Sequence, residues 1–396
     1  MVTFVEDEAP ESGTIIKVVG VGGAGGNAVE HMIREGVSGV EFICCNTDAQ
    51  ALQKSSAHRK LQLGPGLGAG GKPDKARDLA MADRERIAEV LDGAHMVFIT
   101  AGMGGGTGTG AGPVVAEVAR DLGILTVGVV TKPFEYEGKR KRLAEEGVAE
   151  LTKHVDSLIV ILNEKLEEVL GDEVSMLEAF KAADNVLRNA VGGIAEIINV
   201  PGLVNVDFED VRTVMGECGK AMMGSAVASG VDRARVAAEA AVASPLLEGV
   251  ELSGARGVLV NITASNSLGL REYKEVMATI RQYTAAEATV ICGAVFDDSM
   301  EDSLRVTVVA TGLGGVVAKA RKPEIKVVET PTIGLRTGTD NLPVFESTTI
   351  TAGQMDLSGV MSSGRSRTPA ATQAEAMSNS GMDKYDIPAF LRRQSD

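Results

Sequence analysis

Residues 104–113, Gly-Gly-Gly-Thr-Gly-Thr-Gly-Ala-Gly-Pro, form the segment of this chain that is best suited to bind phosphate. They follow the apolar run 96–100 and precede a helical pattern that begins at Val114. A strand that leads through glycines into a helix presents backbone N–H groups at the positive end of that helix, where phosphate binds. Glycine suits these positions because a side chain would block the phosphate and because some positions require a positive φ. A flexible linker, the alternative, does not explain the flanking strand and helix.

Two further glycine-rich segments point to the same chemistry. Residues 20–26 follow the apolar run 15–19 and fit G-x-G-x-x-G, with Asp48 about twenty residues later, which alone is typical of a dinucleotide site. Residues 66–72 fit the G-x-x-x-x-G-K part of a P-loop, but Pro73 replaces the Mg²⁺-binding Ser/Thr and no strand is predicted before them. A nicotinamide oxidoreductase needs one such turn, whereas three suit a nucleoside triphosphate, whose charge is spread over many N–H donors.

Asp184 is the candidate for recognition of the base. It is the only charged residue on the apolar stripe of a long helical pattern over residues 177–198. The other residues of the stripe are Leu177, Phe180, Leu187, Val191, Ile194 and Ile198. A buried carboxylate is costly unless it is paired, and guanine offers two adjacent donors where adenine presents an acceptor. The sequence therefore favours GTP over ATP, unless a protein group satisfies Asp184.

Acidic residues open the next helical pattern, at Asp207, Glu209 and Asp210 after Asn205. Such residues are common as helix caps and first-turn acids, but three acids within four residues exceed what capping requires. We interpret them as groups that position an attacking water and a cation. Because this loop follows the long helical pattern at 177–198, we expect it at the end of the molecule opposite the phosphate loops. There it would serve the nucleotide of a neighbouring subunit.

The order of elements predicts an α/β fold. Candidate strands alternate with helical patterns, which is typical of a mainly parallel sheet with helices on both faces and with ligands at the carboxyl ends of its strands. The candidate strands are residues 15–19, 40–44, 96–100, 125–130 and 157–162, and the helices are residues 27–35, 75–91 and 113–121. After the central helix, strands at 257–263, 288–295 and 304–311 predict a second α/β or α+β unit.

The expected domains follow from these patterns and from a change in composition after residue 321. They are a disordered N-terminus (1–13), a GTP-binding domain (14–176), a central helix (177–200), a second domain (201–316), a disordered linker (317–382) and a terminal peptide (383–396). The peptide combines an apolar cluster with basic residues, which suits a short helix in a partner's groove; the alternative is an unstructured terminus. Its candidate contact residues are Asp386, Ile387, Pro388, Phe390, Leu391 and Arg392.

Composition excludes several classes of function. The net charge of −15 argues against nucleic-acid binding, which needs a concentrated basic face. The 4 cysteines and 4 histidines are scattered, so neither a disulfide framework nor a zinc site is predicted. No apolar run reaches membrane-spanning length and the N-terminus is acidic, so we expect a cytoplasmic protein whose membrane contact comes through a partner.

Four of these segments together resemble the tubulin/FtsZ family of GTPases. Residues 104–113 resemble its signature, 20–27 its first glycine loop, 205–210 its synergy loop, and 386–394 its C-terminal partner-binding peptide. The resemblance implies a tubulin-like GTPase domain with a parallel sheet, a long central helix, a second α/β domain and a disordered C-terminal tail. It also implies head-to-tail filaments at a mid-cell division ring, with GTP hydrolysed to GDP and phosphate between adjacent subunits. A nucleotide-binding scaffold with little turnover is the alternative.

The resemblance also assigns roles to residues. Asp207 and Asp210 would polarise the attacking water and Asn205 would support the contact, while Mg²⁺, with no assigned side-chain ligand, would lie near Asp48, Asp207 or Asp210. Glu137 would contact the ribose, and Phe180 with Asp184 would hold the guanine. The GTP-binding residues would be Gly22, Gly23, Ala24, Gly25, Gly26, Asn27, Ala69, Gly70, Gly71, Gly104, Gly105, Gly106, Thr107, Gly108, Thr109, Glu137, Lys141, Phe180 and Asp184. The terminal peptide would dock on FtsA-like membrane anchors and division regulators.

Three features depart from the family pattern. The approach to Gly66 is shortened, Lys72 stands where Asn is common, and the segment 139–142 is one residue short. The family's nucleotide-contacting arginine therefore falls on Lys141 in an ungapped match, with Arg140 or Arg142 as alternatives. These departures leave the hydrolysis rate open.

Overall fold

A single ten-stranded sheet organises the chain in the computed structural model, which describes residues 13–171, 174–200, 206–217, 219–247 and 252–313. The strands are β1 Ile16–Val21, β2 Val40–Asn46, β3 Arg59–Gln62, β4 Met96–Gly102, β5 Leu125–Lys132, β6 Ser157–Leu162, β7 Gly219–Ser229, β8 Gly257–Ala264, β9 Thr289–Phe296 and β10 Ser303–Leu313. Their order is β3-β2-β1-β4-β5-β6-β7-β10-β8-β9. Strands β1 to β7 pair in parallel, while β10 runs antiparallel to β7 and β8.

Helices cover the sheet. They are α1 Gly22–Arg34, α2 Ala49–Gln53, α3 Pro73–Ala82, α4 Arg84–Leu91, α5 Thr107–Asp121, α6 Lys139–Leu151, α7 Asn163–Leu170, α8 Met176–Asn199, α9 Phe208–Met215, α10 Arg233–Val242 and α11 Leu270–Tyr283. This arrangement confirms the predicted α/β class with a mainly parallel sheet.

Alternate residues of the strands pack into two cores on opposite faces of the parallel part of the sheet. Val18 faces a core that it shares with Met32 of α1 and Leu187 of α8. Its neighbour Val19 faces the other core, with Val115 of α5. This alternation follows from the two-residue repeat of a strand, and it fixes α1 and α8 on one face and α5 on the other.

The long helix α8 links both halves of the sheet. Ser175 caps it in a reciprocal arrangement with Glu178. Near its other end, the Glu196 carboxylate accepts hydrogen bonds from Arg305 of β10 at 3.1 Å and from Asn261 of β8 at 3.2 Å. The predicted helix over 177–198 is therefore confirmed, although Leu177 and Phe180 are exposed rather than part of the buried stripe.

Three expectations about local structure were wrong. Residues 75–91 form two helices, because the Asp83 carboxylate accepts a hydrogen bond from Gly64 N at 2.8 Å and the backbone leaves the helix there. A strand, β3, does precede the glycines at 66–71; the prediction missed it because Leu61 is its only buried residue. The sequence analysis also missed β7, although it pairs with β6 and β10.

Two glycines of α5 allow a test of the close contact between this helix and Pro73. A Cβ on Gly110 would lie 2.0 Å from the Pro73 carbonyl oxygen, whereas one on Gly112 would meet nothing within 4 Å. Gly110→Ala should therefore lower the free energy of unfolding by about 1–3 kcal/mol through overpacking. Gly112→Ala should raise it by up to about 1 kcal/mol, since alanine is the better helix former.

Denaturant unfolding of both variants measures these changes. Equal effects of the two substitutions would contradict the close contact between α5 and Pro73.

Candidate functional site

The predicted phosphate loops meet at the carboxyl edge of the parallel strands. Helix α1 begins at Gly22 directly after β1, and α5 begins at Thr107, with four residues between the end of β4 and its start. Gly22 and Gly104 have φ angles of +78° and +93°, which favour glycine. The N-termini of both helices therefore open at the same edge, and their backbone N–H groups can bind anions.

A cleft with two lobes that share Gly23 lies at this edge. The first lobe, with a volume of about 340 Å³, is lined by Gly22, Gly23, Gly26, Asn27, Glu30, Cys44, Cys45, Asn46, Asp48, Gln50, Ala51, Leu52, Lys54 and Ser55. The second, of about 290 Å³, is lined by Val21, Gly23, Ala24, Gly102, Met103, Gly105, Gly106, Thr107, Gly108, Thr131, Pro133, Glu137, Arg140, Asn163 and Phe180. Most of the residues assigned to GTP thus line one of these two lobes, whereas Gly104, Lys141 and Asp184 line neither.

The third glycine segment lies against the residue that follows β2 and against the start of α5. Gly68 N donates to the Thr47 carbonyl at 2.8 Å, and the hydroxyls of Thr47 and Thr107 are 2.7 Å apart. A Cβ on Gly106 would lie 3.0 Å from the Cβ of Ala69. Ala69, Gly70 and Gly71 line neither lobe, but these contacts hold their segment against the start of α5.

Two other residues assigned to GTP, Gly25 and Thr109, stabilise the glycine loops without lining the cleft. A Cβ on Gly25 would lie 2.3 Å from the Thr100 carbonyl oxygen, so Gly25 packs α1 against β4 rather than lining the cleft. The buried Thr109 hydroxyl accepts a hydrogen bond from Gly104 N at 2.9 Å. Both residues therefore hold the glycine loops in place on the side away from the cleft.

A cluster of aromatic rings adjoins the second lobe, which Phe180 lines. Phe134 and Tyr136 are stacked with ring centroids 5.4 Å apart, and the edge-on contact between Phe134 and Phe180 is 5.8 Å. Phe180 keeps 45% of its surface exposed, so a ring face is available to a planar ligand. Glu137 accepts a hydrogen bond from Phe134 N at 3.1 Å, which orients its carboxylate beside these rings.

The basic segment after Glu137 places Arg140, not Lys141, in the cleft. Arg140 lines the second lobe and forms an ion pair with Glu137. Lys141 lines neither lobe; its ammonium lies 3.0 Å from the exposed Glu135, a contact that raises the pKa of Lys141. Arg142 pairs with Glu146 on the exposed side of α6. Of the three residues that the sequence left open, the geometry favours Arg140.

Asp184 lies one helical turn after Phe180, on the same side of α8. Burial raises the pKa of its carboxyl group to about 6, and the nearby charges of His31 and Arg34 offset this only in part. Among the described residues no hydrogen bond reaches this carboxylate. Asp184 itself lines neither lobe, but its carboxylate, unpaired among those residues, lies one turn from Phe180 and suits a ligand donor.

Asn163 is a site residue that the sequence analysis missed. It follows β6 directly, begins α7 and lines the second lobe. The side chain is 5% exposed, and its amide oxygen is buried with no hydrogen-bond partner in the described part of the chain. An unpaired buried acceptor points to a ligand donor. The available signal was its place at the carboxyl end of a strand beside the phosphate-loop strands.

The acidic loop does not meet the cleft. Asp207 caps α9 by accepting a hydrogen bond from Asp210 N at 2.8 Å. The next residue, Phe208, contacts the ring of His95, which precedes β4 at its amino end. Because β4 has 7 residues, its two ends are about 20 Å apart at about 3.3 Å per residue. Asn205 lies outside the described residues.

The described residues hold no ready-made metal site. Within the described ranges no group of three or more His, Cys, Asp or Glu side chains could bind an ion. One oxygen of Asp48 accepts hydrogen bonds from the first turn of α2. These residues fit Mg²⁺ only as an ion carried chiefly by substrate phosphates, which is its usual mode.

Comparisons with known proteins agree with this site. A family model described as "Tubulin/FtsZ family, GTPase domain" matches residues 15–171, and one described as "FtsZ family, C-terminal domain" matches residues 219–314. The fold and the site thus define a tubulin-like GTPase that binds guanine nucleotides.

Individual relatives show which family of tubulin-like GTPases the chain belongs to. The chain is 54% identical to "Cell division protein FtsZ" of Pseudomonas aeruginosa over 96% of this chain and 97% of that protein. It is also 54% identical to the protein of the same name from Azotobacter vinelandii, over 98% and 99%. This chain belongs to the FtsZ family, the tubulin-like GTPases of cell division.

Solved structures support the fold. The structure titled "FtsZ dimer, empty (M. jannaschii)" matches with a TM-score of 0.73 and 43% identity, over 77% of this chain and 89% of that chain. A CetZ2 protofilament from Haloferax volcanii shares the fold, with a TM-score of 0.64 at 20% identity over 76% and 94%. None of the helices described here is long and apolar enough to cross a membrane. The terminal contact residues 386–392 lie outside the described residues.

The burial of Asp184 predicts a pH-dependent gain of stability on its removal. Because the folded-state pKa is raised from 3.8 to about 6, wild-type stability falls as pH rises through this interval, and the full penalty remains above it. Asp184→Asn should raise the free energy of unfolding by roughly 1–3 kcal/mol at pH 8 and by little near pH 4.

Denaturant unfolding at both pH values measures this difference, with Asp78→Asn as an exposed control on α3. A gain that does not depend on pH would refute the burial explanation.

Proposed function

We propose that this chain binds GTP in the two-lobed cleft, assembles head to tail, and hydrolyses GTP at the contact between successive subunits of the division ring. The observation that carries the proposal is the distance, within one chain, between the phosphate loops and the acidic residues. The phosphate loops lie at the carboxyl end of β4, whereas the acids that would activate water lie at its amino end. A second subunit stacked end to end would bring the two sets together.

The cleft supports a defined placement of the nucleotide. We place the phosphates on N–H groups of the three glycine segments, within residues 22–26, 69–71 and 105–109, since the Gly104 N–H already donates to Thr109. The guanine lies on Phe180. Asp184 accepts hydrogen bonds from its N1–H and from one N–H of its exocyclic amine, while the unpaired oxygen of Asn163 accepts one from the second N–H of that amine. Glu137 contacts the ribose, and Arg140 takes the role that the ungapped match gave to Lys141.

Hydrolysis in this proposal depends on positioning rather than on covalent catalysis. Asp210 of the neighbouring subunit, supported by Asp207 and Asn205, orients a water molecule toward the γ-phosphorus. The water oxygen forms the new P–O bond and gives one proton to the Asp210 carboxylate, the bond to the β–γ bridging oxygen breaks, and GDP leaves with the electron pair. Mg²⁺ bound to the phosphates would neutralise part of their charge.

Assembly is supported by the solved relatives. One is titled as an FtsZ dimer, and the more distant CetZ2 as a GTPγS-bound protofilament. The domain division at 14–176, 177–200 and 201–316 and the docking of the terminal peptide on membrane anchors and division regulators at mid-cell remain part of the proposal. They rest on the sequence pattern alone.

Asp210→Asn separates assembly from turnover. The exposed side chain changes while the backbone N–H that binds Asp207 stays, so the fold and GTP binding should be preserved. We expect wild-type phosphate release to rise more than linearly with protein concentration, with light scattering that appears on GTP addition and decays as GTP is spent. The variant should scatter light persistently, with phosphate release reduced at least about 100-fold, within the range for loss of a general base.

Glu209→Gln is the matched control, since it lies one position earlier on the same exposed turn and the family resemblance assigns the water to Asp207 and Asp210 only. A release rate strictly proportional to wild-type concentration would contradict the shared site. Scattering with no wild-type hydrolysis would instead support a scaffold.

A further inference from the structure

Phe208 lies in the acidic loop, between Asp207 and Asp210. Unlike these two exposed residues, Phe208 is half-buried and packs against the core. Its ring also makes an edge-on contact with the ring of His95, with centroids 6.1 Å apart and an angle of 67° between the ring planes. Aromatic pairs of this geometry attract each other beyond the area that they bury. The contact therefore joins the acidic turn to the residue that precedes β4.

His95 is held in place by hydrogen bonds to both of its neighbours in the sheet. Its backbone N–H donates to the Ile15 carbonyl at 2.9 Å, and its carbonyl accepts a hydrogen bond from Leu125 N of β5 at 3.1 Å. Its ring is fixed as well, because Nδ1 accepts a hydrogen bond from Ile15 N at 3.0 Å. The ring that contacts Phe208 therefore has a defined orientation.

The last turn of α9 is anchored independently of this contact. Val214 and Met215 are fully buried. Their carbonyl oxygens accept hydrogen bonds from the hydroxyls of Thr311 at 2.7 Å and of Ser157 at 2.6 Å. Val214 lies about 9 Å further along the helix than Phe208, at about 1.5 Å per residue. These anchors hold the end of α9, whereas the contact with His95 acts on the turn that carries the acids.

We propose that His95 is a positioning residue for hydrolysis. Through the ring of Phe208 it fixes the first turn of α9 so that Asp207 and Asp210 face the nucleotide of the next subunit. The inference rests on the proposed function. Since His95 in this role contacts neither nucleotide nor water, its loss should slow hydrolysis and leave GTP binding and assembly intact. Misplacing an aligned group by about 1 Å costs up to about 100-fold in rate.

Two substitutions of His95 separate its ring from its hydrogen bond. His95→Phe keeps a ring that can contact Phe208 but loses the acceptor for Ile15 N. His95→Asn has no ring, but its amide oxygen can accept this hydrogen bond in place of Nδ1. If the ring positions α9, His95→Asn should lower turnover by about 10-fold or more, and His95→Phe should keep it within about 2-fold of wild type.

Phosphate release by the full chain, plotted against protein concentration, separates turnover from assembly. Above the assembly threshold, the slope gives the turnover per assembled subunit, and the intercept on the concentration axis gives the threshold. A positioning role predicts that His95→Asn lowers the slope alone. A loss of folded protein would instead raise the intercept by the same factor by which it lowers the slope.

His58→Asn is the matched control, because His58 makes the same two kinds of contact elsewhere in the sheet. Its Nδ1 accepts a hydrogen bond from Phe42 N at 2.9 Å, and its ring is stacked on that of Phe42 with centroids 5.8 Å apart. It is exposed, as His95 is, and lines neither lobe of the cleft. His58→Asn should lower the melting temperature about as much as His95→Asn and leave the slope unchanged.

Phe208→Leu tests the route by which His95 acts. It removes the partner ring and keeps an apolar side chain against the core. It should lower the slope as His95→Asn does. The two substitutions together should cost no more than either alone, since both break the same contact.

The outcomes separate this inference from the proposed function. If His95→Asn keeps the wild-type slope or abolishes assembly, if His58→Asn or His95→Phe lowers the slope equally, or if the effects of His95→Asn and Phe208→Leu add, the positioning role is refuted. If wild-type phosphate release is strictly proportional to protein concentration, the shared site fails and the inference fails with it. A wild-type threshold combined with an unchanged slope in His95→Asn refutes the role of His95 alone.

Discussion

The site depends on a close approach of backbone to backbone at one edge of the sheet. Gly20 and Gly25 pack so tightly that a Cβ on either would lie 2.3–2.4 Å from a carbonyl oxygen, one in α1 and one in β4. This contact seats the start of α1 directly on β4, and β4 itself leads to α5. Because both helices then begin at the same edge, their positive ends face a single cleft. Larger side chains at these glycines would separate the elements and divide the anion site.

The same strand polarity that concentrates N–H groups at one edge sends the acidic loop to the other. Asp207 and Asp210 begin α9 beside His95, at the amino end of β4. A single subunit therefore has a substrate end and an activating end that do not meet. Under the proposal, this geometry makes hydrolysis depend on assembly. Loss of the terminal phosphate would then change the contact between subunits.

The sequence predicts the parallel strands β1, β2, β4, β5 and β6 and the glycine loops well, because buried runs such as 96–100 and positive-φ glycines are dictated locally. It predicts edge and exposed elements poorly. β3 has a single buried residue, Leu61, and therefore little periodicity. The break at Asp83 depends on a hydrogen bond to Gly64, which no local pattern reveals. Asn163 and Arg140 emerge only when distant segments meet, since their role comes from lining the same lobe as Phe180.

The shared site is tested most directly by mixing two variants that are inactive for different reasons. Gly23→Asp places a carboxylate where phosphate would bind, and the fold should tolerate it because a Cβ there meets nothing within 4 Å and acids suit a helix N-terminus. Asp210→Asn retains the cleft but lacks the activating acid. If successive subunits share the site, the mixture should release phosphate although each variant alone does not, because the intact cleft of one meets the intact acidic loop of the other. A mixture as inactive as its two components would contradict hydrolysis between subunits.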